Sequence, residues 1–284
     1  RQMGKPAVVG CSDVGINEEG KFFKVGDKMI REGDSISIDG ATGEVLLGEL
    51  ITQPSEVIQV IRGELKPEDS HIYQIFSKLL SWADEVRRLN VRANADTPED
   101  ADMAFAFGAE GIGLARTEHM FFERKRLPFI KEMILSESEE ERRRHLNKLL
   151  PFQREDFYEL FKAMKGHPVT IRTLDPPLHE FLPKKEDLMV ELAELKASGQ
   201  KDSPKVKELE KLLDRVLVLS EFNPMLGHRG CRLGVTFPEI IEMQATAIFE
   251  AACQLVEEGG KVLPEIMVPL IGTVNELADQ KKII

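Results

Sequence analysis

Cysteine is scarce in this sequence of 284 residues, which contains only Cys11, Cys231 and Cys253. Because the number is odd and the three lie far apart, we expect neither a disulfide framework nor a cysteine metal site. A reducing cytoplasm is the default location, with an organelle of a eukaryotic cell as the alternative. The sequence also lacks a stretch approaching the ~20 apolar residues that cross a bilayer, and it has no opening signal segment. We therefore expect no membrane partner.

The sequence also has no surplus of basic residues. It contains 38 Lys and Arg residues and 49 Asp and Glu residues, which gives a net charge of −11. A nucleic-acid-binding module would carry a basic surface, so the composition argues against that class of partner. The 42% of hydrophobic residues, with 21 Gly and 15 Pro, is typical of one large or two ordinary globular domains. The sequence begins at Arg1 rather than Met, which indicates a piece of a longer protein.

Familiar metal and nucleotide motifs are incomplete. The six histidines have no Cys or His partner at ligand spacing, so we expect no metal site in this chain. His179 and Glu180 begin the pattern of a zinc-protease helix, but Pro183 stands where the second histidine is needed. The glycines of residues 108–113 (GAEGIG) precede a predicted strand instead of following one. We interpret them as a helix end and a tight entry into that strand, not as a dinucleotide-binding loop.

The first 89 residues have a strand pattern that gives way to a helix pattern. Short strand-like segments at residues 22–25, 35–38 and 44–47, and an apolar run at 6–9, alternate with Gly-Asp and Asp-Gly pairs, which predicts hairpins. Residues 68–89 then carry apolar side chains at the i, i+3, i+4 and i+7 spacing of an amphipathic helix. We predict a β-rich part over residues 1–53, a linker helix within 54–89 and a second domain over 90–284.

The second domain alternates strands with helices. Thr97 and Pro98 supply an N-cap and a first-turn proline for the first helix, and residues 186–219 have the pattern of a helical hairpin. This alternation predicts an α/β fold of parallel strands joined by right-handed crossovers. A closed (β/α)8 barrel needs eight strands. Four are predicted here, at residues 91–94, 111–116, 169–174 and 264–271.

Arginines stand where these strands end. Arg116 and Arg172 close the second and third predicted strands, and Arg229 lies in a segment bounded by Pro and Gly that opens a helix. The functional face of such folds is the one at the carboxyl ends of the strands. Several guanidinium groups converging there form a clamp for phosphate or carboxylate.

The alternative is that each arginine forms an ion pair with a nearby acid, for instance Arg116 with Glu118. This structural interpretation is strongest for Arg92, because Glu99 and Asp100 follow it closely. Taken without any resemblance, these residues predict no more than an anion-binding α/β enzyme.

Four segments of the sequence closely resemble the pyruvate, phosphate dikinase family of phosphoenolpyruvate-utilising enzymes. Residues 17–48 also resemble the end of that family's swivelling phosphohistidine domain, so the resemblance runs essentially from end to end. Enzyme I of the sugar phosphotransferase system and phosphoenolpyruvate synthase share part of these motifs and are the alternatives, whereas the continuation at 175–183 favours the dikinase. The four segments are residues 91–100 (VRANADTPED), 108–122 (GAEGIGLARTEHMFF), 170–183 (TIRTLDPPLHEFLP) and 221–233 (EFNPMLGHRGCRL).

The resemblance implies the first half of a TIM-type (β/α)8 barrel, preceded by the β-rich tail of the swivelling domain. It implies transfer of a phosphoryl group from phosphohistidine to the enolate of pyruvate, which gives phosphoenolpyruvate. Overall, ATP, phosphate and pyruvate become AMP, pyrophosphate and phosphoenolpyruvate. Family roles carry over to Arg116, Arg172 and Arg229, which match the arginines that hold the phosphoryl group and the substrate. The parent enzyme is expected to be a homodimer.

Other parts of the family's machinery have no counterpart in this sequence. Arg1 matches the last arginine of the phosphohistidine segment, so the histidine itself is expected just before it. The Mg²⁺ ligands and the proton-donating cysteine are expected beyond Ile284, and ATP is used by a domain that is absent. None of the three cysteines present matches that acid. We therefore expect no catalytic residue here and no activity of the chain alone; a non-catalytic, truncated binding module is the remaining alternative.

Overall fold

The computed structural model describes residues 7–123, 125–175, 177–201, 203–220 and 227–284, without the side chain of His179. Arg1, Pro6 of the predicted apolar run and residues 221–226 of the segment preceding Arg229 therefore lie outside the described residues. The chain divides into two compact units, Arg1–Arg87 and Arg88–Ile284. In the part of the chain that the structure describes, no helix has the length and apolar character needed to cross a membrane.

The first unit is built from short antiparallel strands. β1 (Gly15–Asn17), β2 (Phe22–Val25) and β3 (Lys28–Arg31) form one sheet, while β4 (Ile36–Ile38) and β5 (Val45–Leu47) form a separate hairpin. The three strands predicted at 22–25, 35–38 and 44–47 are thus present. The turn between β2 and β3 contains Gly26 at a φ of 56°, a left-handed conformation that glycine adopts without steric cost. Residues 7–9 form no strand.

Two helices complete this unit. α1 (Glu56–Ile61) was not predicted, and α2 (His71–Val86) confirms the amphipathic helix predicted over 68–89, with shorter ends. The hydroxyl of Ser70 accepts a hydrogen bond from the backbone N–H of Tyr73, an N-cap that sets where α2 begins. The apolar stripe of α2 is exposed: Ile75 and Leu79 are 56% and 60% accessible.

The second unit contains a parallel sheet of four strands that lie side by side in chain order. This confirms the predicted α/β class. β9 is shorter than predicted and ends before Pro269, which has no N–H to donate to a neighbouring strand. The strands are β6 (Ala93–Asn94), β7 (Ile112–Arg116), β8 (Pro168–Arg172) and β9 (Leu263–Met267).

Helices follow or connect these strands. Thr97 caps the first one by accepting a hydrogen bond from the N–H of Asp100, as predicted, and the hairpin predicted over 186–219 is present as the seventh and eighth helices. A 3₁₀ turn spans Leu178–Phe181. The helices are α3 (Pro98–Ala106), α4 (Thr117–Phe121), α5 (Leu127–Leu135), α6 (Glu139–Ala163), α7 (Lys185–Ala197), α8 (Pro204–Leu219), α9 (Cys231–Thr236), α10 (Pro238–Glu257) and α11 (Val274–Ile283).

The main core lies between the sheet and the helices α6 and α10. Ile112 and Ile171 of the sheet pack in one cluster with Phe157 and Leu160 of α6 and Ile248 of α10, all fully buried. Each such side chain contributes roughly 1.5–3 kcal/mol of hydrophobic burial. The other end of α6 packs in a second cluster with residues of α5 and α8. The carboxyl ends of the strands are thereby held on a rigid frame.

The interpretation of residues 108–113 is confirmed. α3 ends at Ala106, and Gly108 has a φ of 92°, a conformation that suits glycine at a helix end. Gly111 then enters β7 so close to the neighbouring strand that an added Cβ would lie 2.8 Å from the carbonyl oxygen of Pro168. The glycines serve the backbone path from the end of α3 into β7.

Candidate anion-binding site

Two of the three predicted site arginines lie side by side at the edge of the sheet. Arg116 and Arg172 are the last residues of β7 and β8, and their Cα atoms are register partners in the parallel ladder. Arg229 comes from the segment just before α9 and reaches the loop that follows β8. The structure therefore brings all three arginines to the carboxyl ends of the strands, the edge where α/β folds carry their ligands.

Asp175 joins two of these arginines. Its Oδ2 lies 2.9 Å from Nη1 of Arg172 and 2.9 Å from Nη2 of Arg229, and its Oδ1 accepts a hydrogen bond from Nε of Arg229 at 3.2 Å. The backbone N–H of Gly230 donates to the carbonyl of Asp175 at 3.0 Å. Asp175 is 4% exposed, so this buried carboxylate fixes both guanidinium groups relative to the end of β8.

Three buried polar atoms around Arg172 lack a hydrogen-bond partner among the described residues. Nη2 of Arg172 donates to Glu118, whereas the Nε atom of Arg172 and the second carboxylate oxygen of Glu118 are unpaired. The hydroxyl of the adjacent Thr173 is unpaired as well. A buried polar atom left unsatisfied costs about 1–3 kcal/mol. Arg172 and Glu118 contact each other, so their two unpaired atoms mark one position suited to a polar ligand.

Among the described residues, Arg116 does not form the structural ion pair with Glu118 that the sequence suggested as an alternative. Glu118, its suggested partner, binds Arg172 instead, so that expectation is wrong. The acid nearest to Arg116 is Asp96, whose Oδ2 lies 3.8 Å from Nη1 of Arg116. The other oxygen of Asp96 accepts the backbone N–H of Arg116 at 2.7 Å, and Nδ1 of His119 lies 2.8 Å from Oδ2.

A buried hydrogen-bond network connects the ends of β7 and β8 to helix α10. The hydroxyl of Thr117 donates to the carbonyl of Arg172 at 3.0 Å, and the side-chain amide of Gln244 in α10 donates to Thr117 at 2.9 Å. The amide oxygen of Gln244 accepts the N–H of Leu174 at 2.9 Å. Because Gln244 and Thr117 are fully buried, this network ties Arg172 and Leu174 to the helix layer.

Arg92 lies outside this cluster. Its expected structural role is consistent with the ion pair that it makes, but the partner is not Glu99 or Asp100: the guanidinium contacts Glu265 of β9 at 2.5 and 3.1 Å. The hydrogen bond from Arg92 lowers the pKa of Glu265 below its ordinary value, with a further contribution from Thr170 of β8. Arg92 thus links the beginning of β6 to two strands further along the sheet.

The carboxylates of the site do not fit a magnesium ion. Glu118 and Asp175 are engaged by arginines, and Asp96 by Arg116 and His119. Within the described ranges, no three or more His, Cys, Asp and Glu side chains are grouped so that they could hold a metal. We derive no step through a metal from these residues.

The cysteines also lie apart from the arginines. Cys231 is fully buried at the start of α9, where its thiol donates to the carbonyl of Leu270, and burial raises the pKa of this thiol. Cys11 and Cys253 are exposed. No cysteine contacts Arg116, Arg172 or Arg229 among the contacts described here.

Sequence reasoning found the arginines and missed the acids that organise them. Asp96 and Asp175 each follow a strand by two or three residues, in the segments ANAD and RTLD. That position is a usable signal, because side chains just beyond parallel strands meet at the same edge of the sheet. Gln244 offers no such signal, since it is one polar residue within a long helix.

A family model and the individual relatives found by comparison with known proteins point to the same family. Residues 71–284 match the model of the PEP-utilising enzyme, PEP-binding domain. The whole chain is 50% identical to pyruvate, phosphate dikinase 2 of Oryza sativa subsp. japonica and 47% identical to pyruvate, phosphate dikinase of Clostridium symbiosum, in each case covering 30% of the relative. It is 48% identical to the chloroplastic pyruvate, phosphate dikinase 1 of Arabidopsis thaliana, of which it covers 27%. The chain thus spans less than a third of the length of these curated relatives.

Proposed function

Since the chain belongs to the PEP-utilising enzymes through their PEP-binding domain, we propose that it carries the phosphoenolpyruvate and pyruvate site of a pyruvate, phosphate dikinase. In the complete enzyme, ATP, phosphate and pyruvate would be converted into AMP, pyrophosphate and phosphoenolpyruvate. This chain would contribute the part that binds the three-carbon substrate and receives the phosphoryl group. Its identity of 47–50% to enzymes named as dikinases favours this activity over that of enzyme I or phosphoenolpyruvate synthase.

The observation that carries the proposal is the unpaired, buried Nε of Arg172, in a cluster that contains two further arginines. The Nε–H of Arg172 would donate to a phosphoryl or carboxylate oxygen. Arg116, 31% exposed and with its guanidinium 3.8 Å from Asp96, would donate to the same anion. Arg229 would complete the clamp, oriented by Asp175.

The chemistry of the reaction suits such a cluster. In the direction of phosphoenolpyruvate formation, pyruvate loses a methyl proton and its enolate oxygen attacks phosphorus as the bond to the histidine nitrogen breaks. Negative charge spreads over the phosphoryl oxygens and the enolate. Donors held in fixed positions stabilise that charge without having to reorganise, which is the largest single contribution in many enzymes.

The remaining parts of the enzyme would come from sequence that this chain does not span. These are the phosphohistidine, the acid that protonates the enolate carbon in the reverse direction, the Mg²⁺ ligands and the ATP-binding domain. The four parallel strands in chain order support the proposal that residues 90–284 form the first half of a (β/α)8 barrel. Residues 1–53 would be the tail of the swivelling domain, residues 54–89 the linker, and the complete enzyme a homodimer of the cytoplasm or an organelle.

A calorimetric titration of phosphoenolpyruvate into the purified chain tests the proposal. Arg116→Met should weaken binding about tenfold or more, because one charge-assisted contact is lost. Arg92→Met is the matched control: it removes a guanidinium from the same sheet but outside the cluster, and binding should be unchanged. Arg116 is preferred to Arg172 because it has no close acidic partner to leave unpaired. Absence of binding by the unaltered chain, or equal weakening by both substitutions, would contradict the proposal.

A further inference from the structure

Asp96 serves two neighbours at the rim of the arginine cluster. It is 6% exposed and follows β6, while Arg116 and His119 belong to the end of β7 and to α4. The same oxygen, Oδ2, lies 2.8 Å from Nδ1 of His119 and 3.8 Å from Nη1 of Arg116. The histidine therefore makes the short contact and the arginine the long one.

The other two site arginines are held differently. Arg172 and Arg229 each contact Asp175 at 2.9 Å, and Arg172 also donates to Glu118. By contrast, no hydrogen bond from the guanidinium of Arg116 is found within the described ranges, although its backbone N–H is bound to Asp96. Arg116 is thus fixed at its backbone while its charged end keeps its donors available.

We propose that His119 is a positioning residue that keeps the guanidinium of Arg116 available for the anionic substrate. The inference rests on the proposed function for the identity of that anion, a phosphorylated carboxylic acid. By donating from Nδ1 to Oδ2 of Asp96, His119 occupies the lone pair and the space that Arg116 would otherwise use. Without the imidazole, rotation of the Arg116 side chain would close the 3.8 Å gap and form a direct ion pair.

The charged groups around His119 are consistent with this positioning role. Asp96 and Arg116 flank His119, and the neighbouring Glu118 contacts Arg172. Within the described ranges, no contact of Glu118 with Arg116 or His119 is found. The side chain of His119 is 46% exposed, which means that it can be replaced without opening a cavity in the core. The bond from the backbone N–H of Arg116 to Oδ1 of Asp96 does not involve His119.

Modification with phenylglyoxal, followed by peptide mass spectrometry, measures the availability of Arg116 directly and needs no substrate. His119→Ala should slow modification of Arg116 about fivefold, in line with formation of a partly buried ion pair with Asp96. His119→Asn should retain the fast rate, because its amide N–H can replace Nδ1, whereas His119→Gln should not. Arg172 and Arg229 are internal references in every sample. Unchanged or faster modification of Arg116 in His119→Ala would overturn the inference.

A second substitution separates charge competition from loss of structure. Asp96→Asn removes the charge that attracts Arg116 and keeps an oxygen for its backbone N–H, so the double variant His119→Ala, Asp96→Asn should recover the fast modification of Arg116. Failure of that recovery would also count against the inference. Titration with phosphoenolpyruvate should follow the same order of variants. If the unaltered chain binds no phosphoenolpyruvate while the modification pattern holds, the proposed function fails and the role of His119 stands.

Discussion

At the scale of single residues, the buried acids decide how the arginines can be used. Asp175 orients Arg172 and Arg229 by close contacts, whereas Asp96 holds Arg116 mainly through its backbone. Guanidinium groups carry five N–H donors each, so a pair with a carboxylate does not exhaust them. The cluster can therefore stay nearly charge-balanced when empty and still offer donors to an incoming anion.

Replacement of Arg116 or Arg172 by alanine in a full-length dikinase of this sequence is predicted to impair phosphorylation of pyruvate. Removal of one preorganised donor costs several kcal/mol of transition-state stabilisation, on the order of 10²-fold in rate. The ATP-dependent half-reaction should be unaffected, because another domain performs it. Measuring both half-reactions separately provides the control. Near-normal phosphorylation of pyruvate by both variants would mean that these arginines have a purely structural role.

The three cysteines are predicted to differ sharply in their reaction with iodoacetamide. Cys11 and Cys253 are exposed and should be alkylated at neutral pH. Cys231 should react far more slowly, because it is buried and burial raises the pKa of its thiol, which lowers the thiolate fraction. Mass spectrometry of the native chain over time checks this order, and urea-unfolded chain serves as control, since all three thiols should then react alike.

At the scale of elements, the entry into β7 depends on a close backbone approach. An alanine Cβ at position 111 would lie 2.8 Å from the carbonyl oxygen of Pro168 and 3.0 Å from its Cγ, both on the neighbouring strand β8. Neither atom belongs to a flexible side chain, so β7 and β8 would have to separate. Since these strands carry Arg116 and Arg172 at their other ends, the packing of this entry also affects the site.

Gly111→Ala is predicted to lower the free energy of unfolding by about 1–3 kcal/mol, the usual cost of overpacking. Gly272→Ala is the matched control, because its Cβ would meet only Glu276 Oε2 at 3.5 Å, an ordinary contact. That substitution should change stability by no more than about 0.5 kcal/mol. Urea unfolding of both variants measures the difference. Equal stability of the two would show that β7 and β8 can separate without cost.

At the scale of the whole molecule, the chain brings three arginines together at the carboxyl ends of parallel strands. The described residues hold no metal-binding group, and no cysteine contacts the arginine cluster among the described contacts. We predict that the purified 284-residue chain does not convert ATP, phosphate and pyruvate. A coupled assay for phosphoenolpyruvate checks this, with a full-length dikinase as positive control. Turnover above background would show that the chain carries groups that we have not identified.

Within the described residues, the two outer strands of the parallel sheet each have one edge that pairs with no other strand. β6 pairs only with β7 and β9 only with β8, so their outer edges present unpaired N–H and C=O groups. Apolar side chains such as Leu263 and Leu270, 44% and 38% exposed, lie on or just after β9. Such an edge is a template for pairing with another chain, and the proline at position 269 blunts only one point of it.

We therefore predict that the isolated chain self-associates at micromolar concentration. Light scattering measures the mass, and hydrogen exchange over residues 264–271 measures protection of the strand. Leu263→Lys in β9 should reduce association, because a charge on an edge strand opposes pairing. A monodisperse monomer with strongly protected amides over 264–271 would contradict the prediction.

Local signals in the sequence were sufficient for most elements of the fold. Alternation of strands and helices predicted the parallel α/β class, and Thr97 with Pro98 marked the start of α3. Glycines at 108 and 111 marked the end of that helix and the entry into β7. β1 and β3 were missed because residues 15–17 and 28–31 carry little apolar periodicity. The family motifs similarly predicted the arginines that lie together at the strand ends, since each is in a continuous segment.

The sequence by itself therefore determined the elements, their order and the residue types available at the strand ends, because helix caps, turn glycines and apolar periodicity act between near neighbours. Only the tertiary structure decided which acid meets which arginine. Glu118 lies 54 positions from Arg172, and Asp96 lies 20 from Arg116, so these pairs depend on strand register. Ion pairs across strands are set by the packing of whole elements, and the same packing left Arg116 beside an acid that His119 already binds.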